Sequence, residues 1–506
     1  SAIRAMLACD ASDAKENGEK PTMHATAAAH AVLARLLDAI TSHAPELGSR
    51  ARIAAGIEEL GDESPITSAP ASLVVEARCA AEVQTAVALA ARHGLPVVPR
   101  GGRTGLVGGA VPVVPSLVID VSGIRSIHEL DIAGRYAHLG PGLTVAEVGE
   151  MLAPHGMFYP PDPASVSRAT LGGTVATNAG GLRCVKYGVT ERWIRSLDVV
   201  LADGRLVTVG HRVIKDVTGL DLTHLMIGSE GTLGVIVGVG ITFCPIPVES
   251  RLALAALGSA NEAIALAGRV LDTLTPSMCE LLDAGALLAR DTGPLSPLLG
   301  PVSEWGADPT LLMIEVDGSA VETEHAALMD LLAAAGARTH TVSPDDLDGV
   351  LSVRRGGSAV RSAGTPPTAE ALVSASGARP VLPQDVSVPL PRLAEAVAGI
   401  RSIASGFERT GSRIAAHLGD GNLHVLLVDE VGDADHDEAR ERLQTAMAAI
   451  VDTVLSLGGT VSGEHGIGSL KRAYAALDLG EDVMEMHRSI KLALDPHSLM
   501  NPGTAF

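Results

Sequence analysis

Two histidines flank a predicted tight turn in the last quarter of the chain, and their arrangement is the most specific chemical signal in the sequence. His417 and His424 lie on either side of Asp420-Gly421, a dipeptide typical of two-residue β-hairpin turns. In such a hairpin the two histidines oppose each other directly, with Cβ atoms about 5 Å apart on one face. Two imidazoles at that spacing can bind one metal ion, so the pattern predicts a metal-binding hairpin. Two ordinary half-buried histidines are the alternative.

Glu464 and His465 form a second pair, in a loop bounded by Gly463 and Gly466. Glu464 offers a carboxylate ligand, and His465 offers an adjacent base whose neutral form is available near pH 7. Two histidines and one carboxylate make a metal site with coordination positions left open for a substrate. This second pair therefore favours the metal-binding interpretation of the hairpin.

The first of three glycine-rich segments, residues 101–109, follows a short apolar predicted strand and contains or adjoins Arg100 and Arg103. Glycines permit positive φ and let backbone N–H groups converge on an anion without a Cβ in the way. The segment therefore predicts a phosphate cradle, with the two arginines balancing a diphosphate charge. A loop with several turns is the alternative, because the segment matches neither the P-loop pattern nor GxGxxG.

Two further segments have the same character. Residues 170–181 interleave small residues with hydroxyls and one amide, and residues 228–234 are again rich in glycine. Backbone of this kind can lie flat against a planar ring system. The second and third segments therefore strengthen the cofactor interpretation of the first.

Composition limits the kinds of protein that this chain can be. Its 506 residues are 46% hydrophobic and 19% charged, which is typical of two or three globular domains. No apolar stretch approaches the ~20 residues of a membrane-spanning helix, and the net charge of −21 argues against a non-specific nucleic-acid binder. The five cysteines form no CxxC pair, which favours a reducing, cytoplasmic location. Without a membrane-spanning stretch, we expect at most peripheral membrane contact.

Changes in pattern divide the chain into three parts. Pro245 and Pro247 end a first domain at residues 24–247, and the residues before it read as an extension. Residues 248–457 carry two successive predicted strand–helix–strand units, which favour a ferredoxin-like α+β cap domain that includes the histidine hairpin. Residues 458–506 form a C-terminal segment.

From about residue 70 to its C-terminus, the chain resembles the FAD-linked D-2-hydroxyacid dehydrogenase branch of the vanillyl-alcohol-oxidase superfamily. That branch includes D-lactate dehydrogenase, glycolate oxidase subunits and D-2-hydroxyglutarate dehydrogenase. The motifs that carry the resemblance occur in the family's order and are Pro99–Gly102, Asn178–Gly181, His417–His424, Gly463–Gly466 and Asn501–Gly503. The resemblance implies an α+β fold, in which a vanillyl-alcohol-oxidase-type FAD-binding domain is joined to a ferredoxin-like α+β cap and the C-terminal segment returns to the FAD domain.

The resemblance implies that FAD is bound without a covalent link, because Arg103 stands where some superfamily members carry a flavin-linked histidine. The diphosphate would lie on the first glycine-rich segment, with the flavin and adenosine portions along the other two. The implied cofactor-binding residues are Arg100, Gly101, Gly102, Arg103, Thr104, Gly105, Leu106, Pro161, Asp162, Thr170, Gly172, Gly173, Asn178, Gly180, Gly181, Tyr187, Gly188, Glu230, Gly231, Ile236 and Asn501.

The resemblance also implies a reaction. His417, His424 and Glu464 would hold a divalent metal, zinc in the first instance and iron or manganese as alternatives, that binds the hydroxyl and carboxylate of a 2-hydroxyacid. His465 would accept the hydroxyl proton while the C2 hydride passes to the flavin. The product would be the corresponding 2-oxoacid.

Substrate-binding residues follow from the same resemblance. Arg354 occupies the position of the family's carboxylate-binding arginine, with a plain surface charge as the alternative, and Ser358 lies at a nearby hydroxyl position. Pro383 replaces a lysine, and Leu426 an asparagine, of the hydroxyglutarate branch. We therefore expect a small or apolar substrate side chain, as in D-lactate; D-2-hydroxyglutarate and glycolate are the alternatives. Lys471 reads as a surface residue.

The family implies a quinone, a cytochrome or an electron-transfer flavoprotein as electron acceptor, and a homodimer stays open. Two functions of other classes also fit parts of the pattern. A metallohydrolase could use His417, His424 and Glu464 without a flavin, with the glycine-rich segments binding a phosphate ester. A non-redox transferase on the same FAD scaffold is the other, although that type carries a run of consecutive histidines that this sequence lacks.

Overall fold

The computed structural model of the chain describes residues 23–69, 71–355, 381–430 and 436–505, so Ser358 lies outside the described residues. Its strands form three large sheets and one two-stranded sheet. Strands from residues 51–242 build the first two large sheets, and strands from residues 250–429 build the third. Among the helices described, none combines the length and the apolar character needed to cross a membrane.

The first sheet is largely parallel and buried on both faces, as continuous apolar runs such as Leu73–Val75 require. Its strands lie in the order β1 (Ala51–Ala54), β2 (Ser72–Glu76), β4 (Leu117–Asp120) and β3 (Val97–Arg100). The helices of this region are α1 (Met23–His43), α2 (Pro45–Gly48), α3 (Ile57–Leu60) and α4 (Ala80–His93). Gly94, at φ 63°, ends α4 and directs the chain into β3, which leads to the first glycine-rich segment.

The second sheet is antiparallel throughout. Its strands lie in the order β5 (Ile127–Asp131), β6 (Tyr136–Leu139), β10 (Val235–Thr242), β8 (Ile194–Val200) and β9 (Leu206–Gly210). The helices of this region are α5 (Val145–Leu152), α6 (Leu171–Thr177), α7 (Cys184–Tyr187) and α8 (Leu222–Met226), and the short strands β7 (Met157–Phe158) and β11 (Cys244–Pro245) pair with each other. Helix α6 is the second glycine-rich segment, and the third lies just before β10.

The third sheet has seven antiparallel strands. They lie in the order β15 (Arg338–Thr341), β12 (Ser250–Leu257), β14 (Thr310–Asp317), β13 (Met278–Leu282), β17 (Thr410–His417), β18 (Asn422–Asp429) and β16 (Val381–Ser387). The helices that follow β12 are α9 (Ala260–Thr273), α10 (Ala284–Leu288), α11 (Ser296–Leu299), α12 (Val321–Ala334), α13 (Leu347–Arg354), α14 (Leu393–Gly406), α15 (His436–Ser456), α16 (Arg472–Leu479) and α17 (Glu481–Leu494).

This sheet consists of two ferredoxin-like halves. The first half, β12–α9–β13–β14–α12–β15, is the α+β cap that the strand–helix–strand pattern predicts. The second half, β16–α14–β17–β18–α15, repeats the arrangement, and Thr460 completes it by bridging to Ser387. This repeat was not predicted, because residues 356–380, rich in Gly, Ala, Ser and Pro, separate its first strand from α13 in sequence and Pro383 breaks the apolar pattern of that strand.

Alternation along the strands gives the seven-stranded sheet two different faces. Apolar side chains of α9, α12, α14 and α15 pack on one face and form the largest hydrophobic cluster. The other face carries Glu280, His417, His424 and Asp385, because Glu280 pairs with His417, and Asp385 with His424, on adjacent strands. The polar residues of the candidate site therefore share the face away from these helices.

The C-terminal residues return to the first sheet. The backbone N–H of Val97 donates to the carbonyl of Leu499 at 2.8 Å, and that of Asn501 donates to the carbonyl of Val97 at 2.7 Å. The loop between α15 and α16, which carries Glu464 and His465, is thereby held between the two parts of the molecule.

Candidate active site

A cavity of about 400 Å³ runs along all three glycine-rich segments. Glu464 and His465 line the same cavity. The predicted base and one predicted metal ligand therefore face the predicted cofactor site.

The first glycine-rich segment has the features of an anion cradle. Among the residues that the structure describes, none accepts a hydrogen bond from a backbone N–H of residues 101–106. A Cβ at Gly101 would come within 2.3 Å of Oγ1 of Thr170, and one at Gly102 within 2.1 Å of the carbonyl oxygen of Arg168. The buried Thr170 hydroxyl also has no hydrogen-bond partner in the regions that the structure describes. Backbone donors left unpaired beside two glycines that admit no Cβ are suited to a diphosphate.

Most of the predicted cofactor-binding residues line this cavity. They are Arg100, Gly101, Gly102, Arg103, Thr104, Gly105, Leu106, Thr170, Gly172, Gly173, Gly180, Glu230, Gly231 and Ile236. The remaining predicted residues do not line it. They are Pro161, Asp162, Asn178, Gly181, Tyr187, Gly188 and Asn501.

Arg100 and Arg103, both predicted to balance a diphosphate charge, have different partners in the structure. The buried Arg100 guanidinium lies 3.0 Å from Oδ2 of Asp120, so its charge is already neutralised. Arg103 donates to two backbone carbonyls of residues 58–61, at 2.7 and 2.8 Å, without a carboxylate partner among the described residues. Of these two arginines, Arg103 is therefore the one without a direct carboxylate partner in the described part of the chain. Sequence proximity to the glycines could not distinguish these two environments.

Asn501 and Glu230 connect the cofactor segments to the C-terminal loop. Nδ2 of Asn501 donates to the carbonyls of Gly109 and Glu230 at 2.8 and 2.7 Å. The Glu230 carboxylate accepts hydrogen bonds from the backbone N–H groups of residues 467 and 468 at 2.8 and 2.7 Å. Glu230 thus fixes the position of the loop that carries Glu464 and His465, and Asn501 holds the backbone of Glu230.

Asn178, Gly181 and Gly188 shape the second segment from outside the cavity. Asn178, at φ 50°, ends α6 and exchanges two 2.9 Å hydrogen bonds with Glu191. A Cβ at Gly181 would come within 2.2 Å of the carbonyl oxygen of Asp162. Gly188 lies beyond the end of α7 at φ 74°. These residues maintain the backbone path and lie apart from the cavity wall.

Helix α7 is tied to the third sheet by charged contacts that we call the clasp, formed by Arg183, Lys186, Tyr187, Glu315 and Asp317. Arg183 places Nε 3.0 Å and Nη2 3.2 Å from the two Glu315 oxygens. The Tyr187 hydroxyl donates to Oδ2 of Asp317 at 2.7 Å, and Lys186 forms an ion pair with the same carboxylate. The clasp therefore gives Tyr187, predicted to bind the cofactor, a role between the domains.

Asp162 has a similar connecting role beside Pro161. Its carboxylate accepts hydrogen bonds from Arg183 at 3.3 Å and from Arg355 at 3.0 Å. Arg355 reaches it from the end of α13. Asp162 precedes the second glycine-rich segment, so its contacts link that segment to the cap.

The predicted metal ligands converge on one point. Oε1 of Glu464 lies 3.4 Å from Nε2 of His417 and 3.2 Å from Nε2 of His424. The imidazole centroids of the two histidines are 4.9 Å apart. Ligand atoms of all three residues lie within 4.8 Å of one another, which is a spacing that one metal ion can bridge.

The structure corrects the predicted register of the hairpin. His417 pairs with Asn422, and His424 pairs with Ala415, so the two histidines are diagonal neighbours and do not oppose each other. The loop is longer than the predicted two-residue turn because Leu418 is buried and its N–H donates to the carbonyl of Cys279 at 2.8 Å. Both histidines still lie on one face, because pairing shifted by two residues preserves the face.

Each histidine faces a buried carboxylate on the side away from Glu464. Nδ1 of His417 lies 2.6 Å from Oε1 of Glu280, and Nδ1 of His424 lies 4.0 Å from Oδ1 of Asp385. A carboxylate behind a histidine fixes the tautomer and orientation of a metal-binding imidazole. Glu280 was not predicted from the sequence, because its only local signal is an acidic residue within the apolar strand β13.

Asp385 also holds the loop that carries Glu464 and His465. Its Oδ2 accepts hydrogen bonds from the N–H groups of residues 463–465 at 2.9, 3.0 and 3.0 Å, and from the Ser462 hydroxyl at 2.9 Å. Lys471 is buried with Nζ 3.5 Å from the same oxygen, which corrects the surface position expected for it. These contacts could not be predicted, because Asp385 is distant from them in sequence.

Burial and neighbouring charges adjust the protonation of these residues. Burial lowers the pKa of His465 to about 4, which keeps it neutral at pH 7. Burial would also lower the pKa of His417, but Glu280 and Glu464 raise it to about 10. Burial would raise the pKa of Glu464, but hydrogen bonds and charge from His417 and His424 hold it well below its usual value. His465 is therefore able to accept a proton, and Glu464 is anionic.

Arg354 belongs to the same cluster. Its side chain is buried, with Nε 2.5 Å from Oε2 of Glu280 and Nη2 3.5 Å from Nδ1 of His417. The neighbouring Arg355 points instead to Asp162. Of the two adjacent arginines, Arg354 is therefore the one beside the predicted metal ligands.

Two family matches cover most of the chain. Residues 71–210 match the family described as FAD binding domain, and residues 246–505 match the C-terminal domain of FAD linked oxidases. The glycolate oxidase subunit GlcD of Bacillus subtilis is 31% identical over 457 residues, which cover 88% of this chain and 91% of that protein. The D-lactate dehydrogenase of Archaeoglobus fulgidus is 32% identical over 451 residues, covering 87% and 94%. The D-2-hydroxyglutarate dehydrogenase of Xanthomonas citri is 31% identical over 434 residues, covering 84% and 87%.

Solved structures share the fold at lower identity. A p-cresol methylhydroxylase superposes with a TM-score of 0.73 at 16% identity, covering 94% of this chain and 97% of that one. An alkyldihydroxyacetonephosphate synthase superposes with a TM-score of 0.66 at 18% identity, covering 85% and 76%. The predicted vanillyl-alcohol-oxidase-type fold is confirmed.

Proposed function

The chain belongs to the FAD-linked oxidase family, whose relatives act on 2-hydroxyacids, and from that premise we propose that it oxidises a D-2-hydroxyacid to the 2-oxoacid with the help of a divalent metal. One observation carries this proposal. Glu464 and His465, adjacent in sequence, line the same cavity as the three glycine-rich segments. A substrate bound at the histidine cluster would therefore have its C2 carbon beside the cofactor.

The residues of the cluster fit a metal. Two imidazole nitrogens and one carboxylate oxygen form a donor set that leaves positions open, and zinc, iron and manganese all accept such ligands. The carboxylates of Glu280 and Asp385 lie behind the imidazoles of His417 and His424, as is typical of metal-binding histidines. We propose zinc as the ion, held by His417, His424 and Glu464, where it would supply polarisation of the substrate hydroxyl.

His465 is the proton acceptor in this proposal. Its imidazole is neutral near pH 7 because it is buried, and its Nε2 lies 3.8 Å from Oε1 of Glu464. A hydroxyl bound beside Glu464 would be within reach of Nε2, which would receive its proton as the C2 hydride leaves. Bound FAD would supply the acceptor for that hydride.

Arg354 would bind the substrate carboxylate. Its Nε is engaged by Glu280, and its Nη2 lies beside the His417 ring. Because Glu280 also pairs with His417, this carboxylate orients the arginine and the histidine together. The proposed electron acceptor is a quinone, a cytochrome or an electron-transfer flavoprotein, as in the family that the sequence resembles.

Flavin reduction without oxygen tests the proposal. The protein reconstituted with FAD and Zn²⁺ is mixed anaerobically with glycolate and with the D and L forms of several 2-hydroxyacids, while the flavin absorbance is followed. We expect bleaching by at least one D-2-hydroxyacid and none by its L form. Absence of bound flavin together with hydrolysis of a phosphate ester would instead support the metallohydrolase. Bound flavin that no hydroxyacid reduces would overturn the oxidation proposed here.

A further inference from the structure

Three arginines, Arg290, Arg354 and Arg413, lie beside the histidine cluster, and the carboxylates near them are too few to neutralise all three. Arg354 pairs with Glu280. The nearby Asp283 pairs with Arg401, on α14, at 3.0 Å. The two remaining arginines of the group, at positions 290 and 413, have no carboxylate within ion-pair distance among the residues that the structure describes.

Arg413 lies on the face of the sheet that carries the predicted metal ligands. It is two residues before Ala415, which pairs with His424, so its Cα is about 7 Å along β17 from that pair. Alternation directs its side chain to the same face as His417. Its stem packs against α10, because a Cβ at Gly285 would come within 3.3 Å of Cγ of Arg413.

Arg290 lies just beyond α10, and it contacts the residue that follows Gly285, which packs against the Arg413 stem. Its Nη1 donates to the carbonyl of Ala286 at 2.8 Å, whereas its buried Nε has no hydrogen-bond partner within the described part of the chain. Burial and repulsion from Arg354 lower the pKa of Arg290 to about 10 against the attraction of Asp283, and Arg413 adds a smaller repulsion. Partly buried cations that repel one another are stabilised by an anion placed between them.

We propose that Arg290 and Arg413 form a subsite for a second anionic group on the substrate, so that the enzyme favours short-chain 2-hydroxy dicarboxylates over 2-hydroxy monocarboxylates. The inference rests on the proposed function for the position of the first carboxylate, beside Arg354. The distal carboxylate lies between Arg290 and Arg413, on the side of the cluster where β17 and α10 meet. Both arginines are specificity-determining residues for the reaction proposed above.

This inference reverses the substrate preference predicted from the sequence. That prediction rested on Pro383 and Leu426, which replace polar residues of the hydroxyglutarate branch. The structure pairs Pro383 with Leu426, and Leu426 with Arg413, in adjacent strands. Neither Pro383 nor Leu426 carries a positive charge. Arg413 supplies one at the third position of the same cross-strand row, on β17.

Binding of product analogues tests the subsite without turnover. The dissociation constants of 2-oxoglutarate and 2-oxobutyrate are measured by calorimetry on the protein loaded with FAD and Zn²⁺. The two ligands share the 2-oxoacid group, so their difference isolates the distal carboxylate. We expect at least tenfold tighter binding of 2-oxoglutarate. Arg413→Met should reduce that ratio at least fivefold, and Arg413→Lys should retain part of it.

Arg269→Met is the matched control, because Arg269 is an exposed arginine on the opposite helical layer. It should leave the ratio unchanged. Equal affinity of the two ligands for the wild type, no binding of either ligand, or the same ratio in Arg413→Met would overturn the subsite. Flavin reduction is a separate readout: if dicarboxylate binding depends on Arg413 but no hydroxyacid reduces the flavin, the subsite stands and the proposed oxidation fails.

Discussion

Oδ2 of Asp385 lies 3.0 Å from the backbone nitrogen of His465 and also accepts the N–H groups of Gly463 and Glu464. The other oxygen of the same carboxylate faces Nδ1 of His424 at 4.0 Å. One buried side chain therefore positions the proposed base and one proposed metal ligand through their backbone N–H groups, and it places a negative charge near the ring of a second ligand. Asp385 is a positioning residue, since it lies behind the groups that would contact substrate.

Asp385→Asn should weaken metal retention and slow flavin reduction by about 10- to 100-fold each, because an outer-sphere carboxylate lost from behind a metal-binding histidine typically has effects of that size. The neutral amide also leaves the buried Lys471 without its counter-charge. Metal content by mass spectrometry and anaerobic stopped-flow spectroscopy measure the two effects. Asp330→Asn, at an exposed aspartate of α12, is the control. Full metal content and a wild-type rate in Asp385→Asn would contradict this role.

His417→Ala should remove the metal and most turnover while the flavin stays bound, because His417 contacts the predicted metal point and does not line the cofactor cavity. The metal-to-protein and flavin-to-protein ratios of the same preparation check this expectation. Unchanged metal content would refute His417 as a ligand. Loss of FAD together with the metal would mean that the substitution disturbs the whole cleft.

His465→Asn should keep metal and flavin but slow anaerobic flavin reduction by about 100-fold or more, which is the usual contribution of a general base. Asparagine can hydrogen-bond to a substrate but cannot accept its proton. A rate that rises with pH in the variant, as free hydroxide replaces the base, would distinguish lost proton transfer from a structural defect. Near-normal reduction at pH 7 would exclude His465 as the base.

Metal affinity should increase with pH up to about 10. The Glu280 carboxylate raises the pKa of His417 to that value against the effect of burial, so a metal must displace a proton at lower pH. In the metal-free protein, the ion pair stabilises the fold fully below the unfolded histidine pKa of about 6.5, and this contribution is lost as pH rises towards 10. Zinc titrations and melting temperatures of metal-free protein at several pH values measure both trends. A pH-independent zinc affinity would contradict the raised pKa.

Asp317→Asn should lower the free energy of unfolding by about 1–3 kcal/mol, because the Asp317 carboxylate is a charged, buried acceptor for both Tyr187 and Lys186. We also expect a higher KM, since the clasp holds α7 and the second glycine-rich segment against the cap. Thermal unfolding and steady-state kinetics check these effects. Asp272→Asn, at an exposed aspartate of α9, is the control. A wild-type melting temperature in Asp317→Asn would show that the clasp adds no stability.

The kinds of chemistry in this protein were readable from local sequence. Glycine-rich segments that admit no Cβ, two histidines beside a turn, and a Glu-His pair are short-range patterns, and each constrains its own backbone and donor set. They therefore predicted the cofactor cleft, the FAD-linked family and the residues that converge at the histidine cluster. The first ferredoxin-like half was equally predictable, since its strands and helices alternate without long interruptions.

Pairings between distant residues were decided only by the tertiary structure. Leu418 enters the core and shifts the hairpin register, Asp120 neutralises Arg100, and Asp385 reaches the loop of Glu464 and His465. In each case the partner is chosen by packing between elements far apart in the chain, which spacing along one segment does not encode. For the same reason, the proposed role of Arg413 in substrate binding could not be predicted from the sequence. Its proximity to the histidine cluster exists only once β17 and β18 are paired.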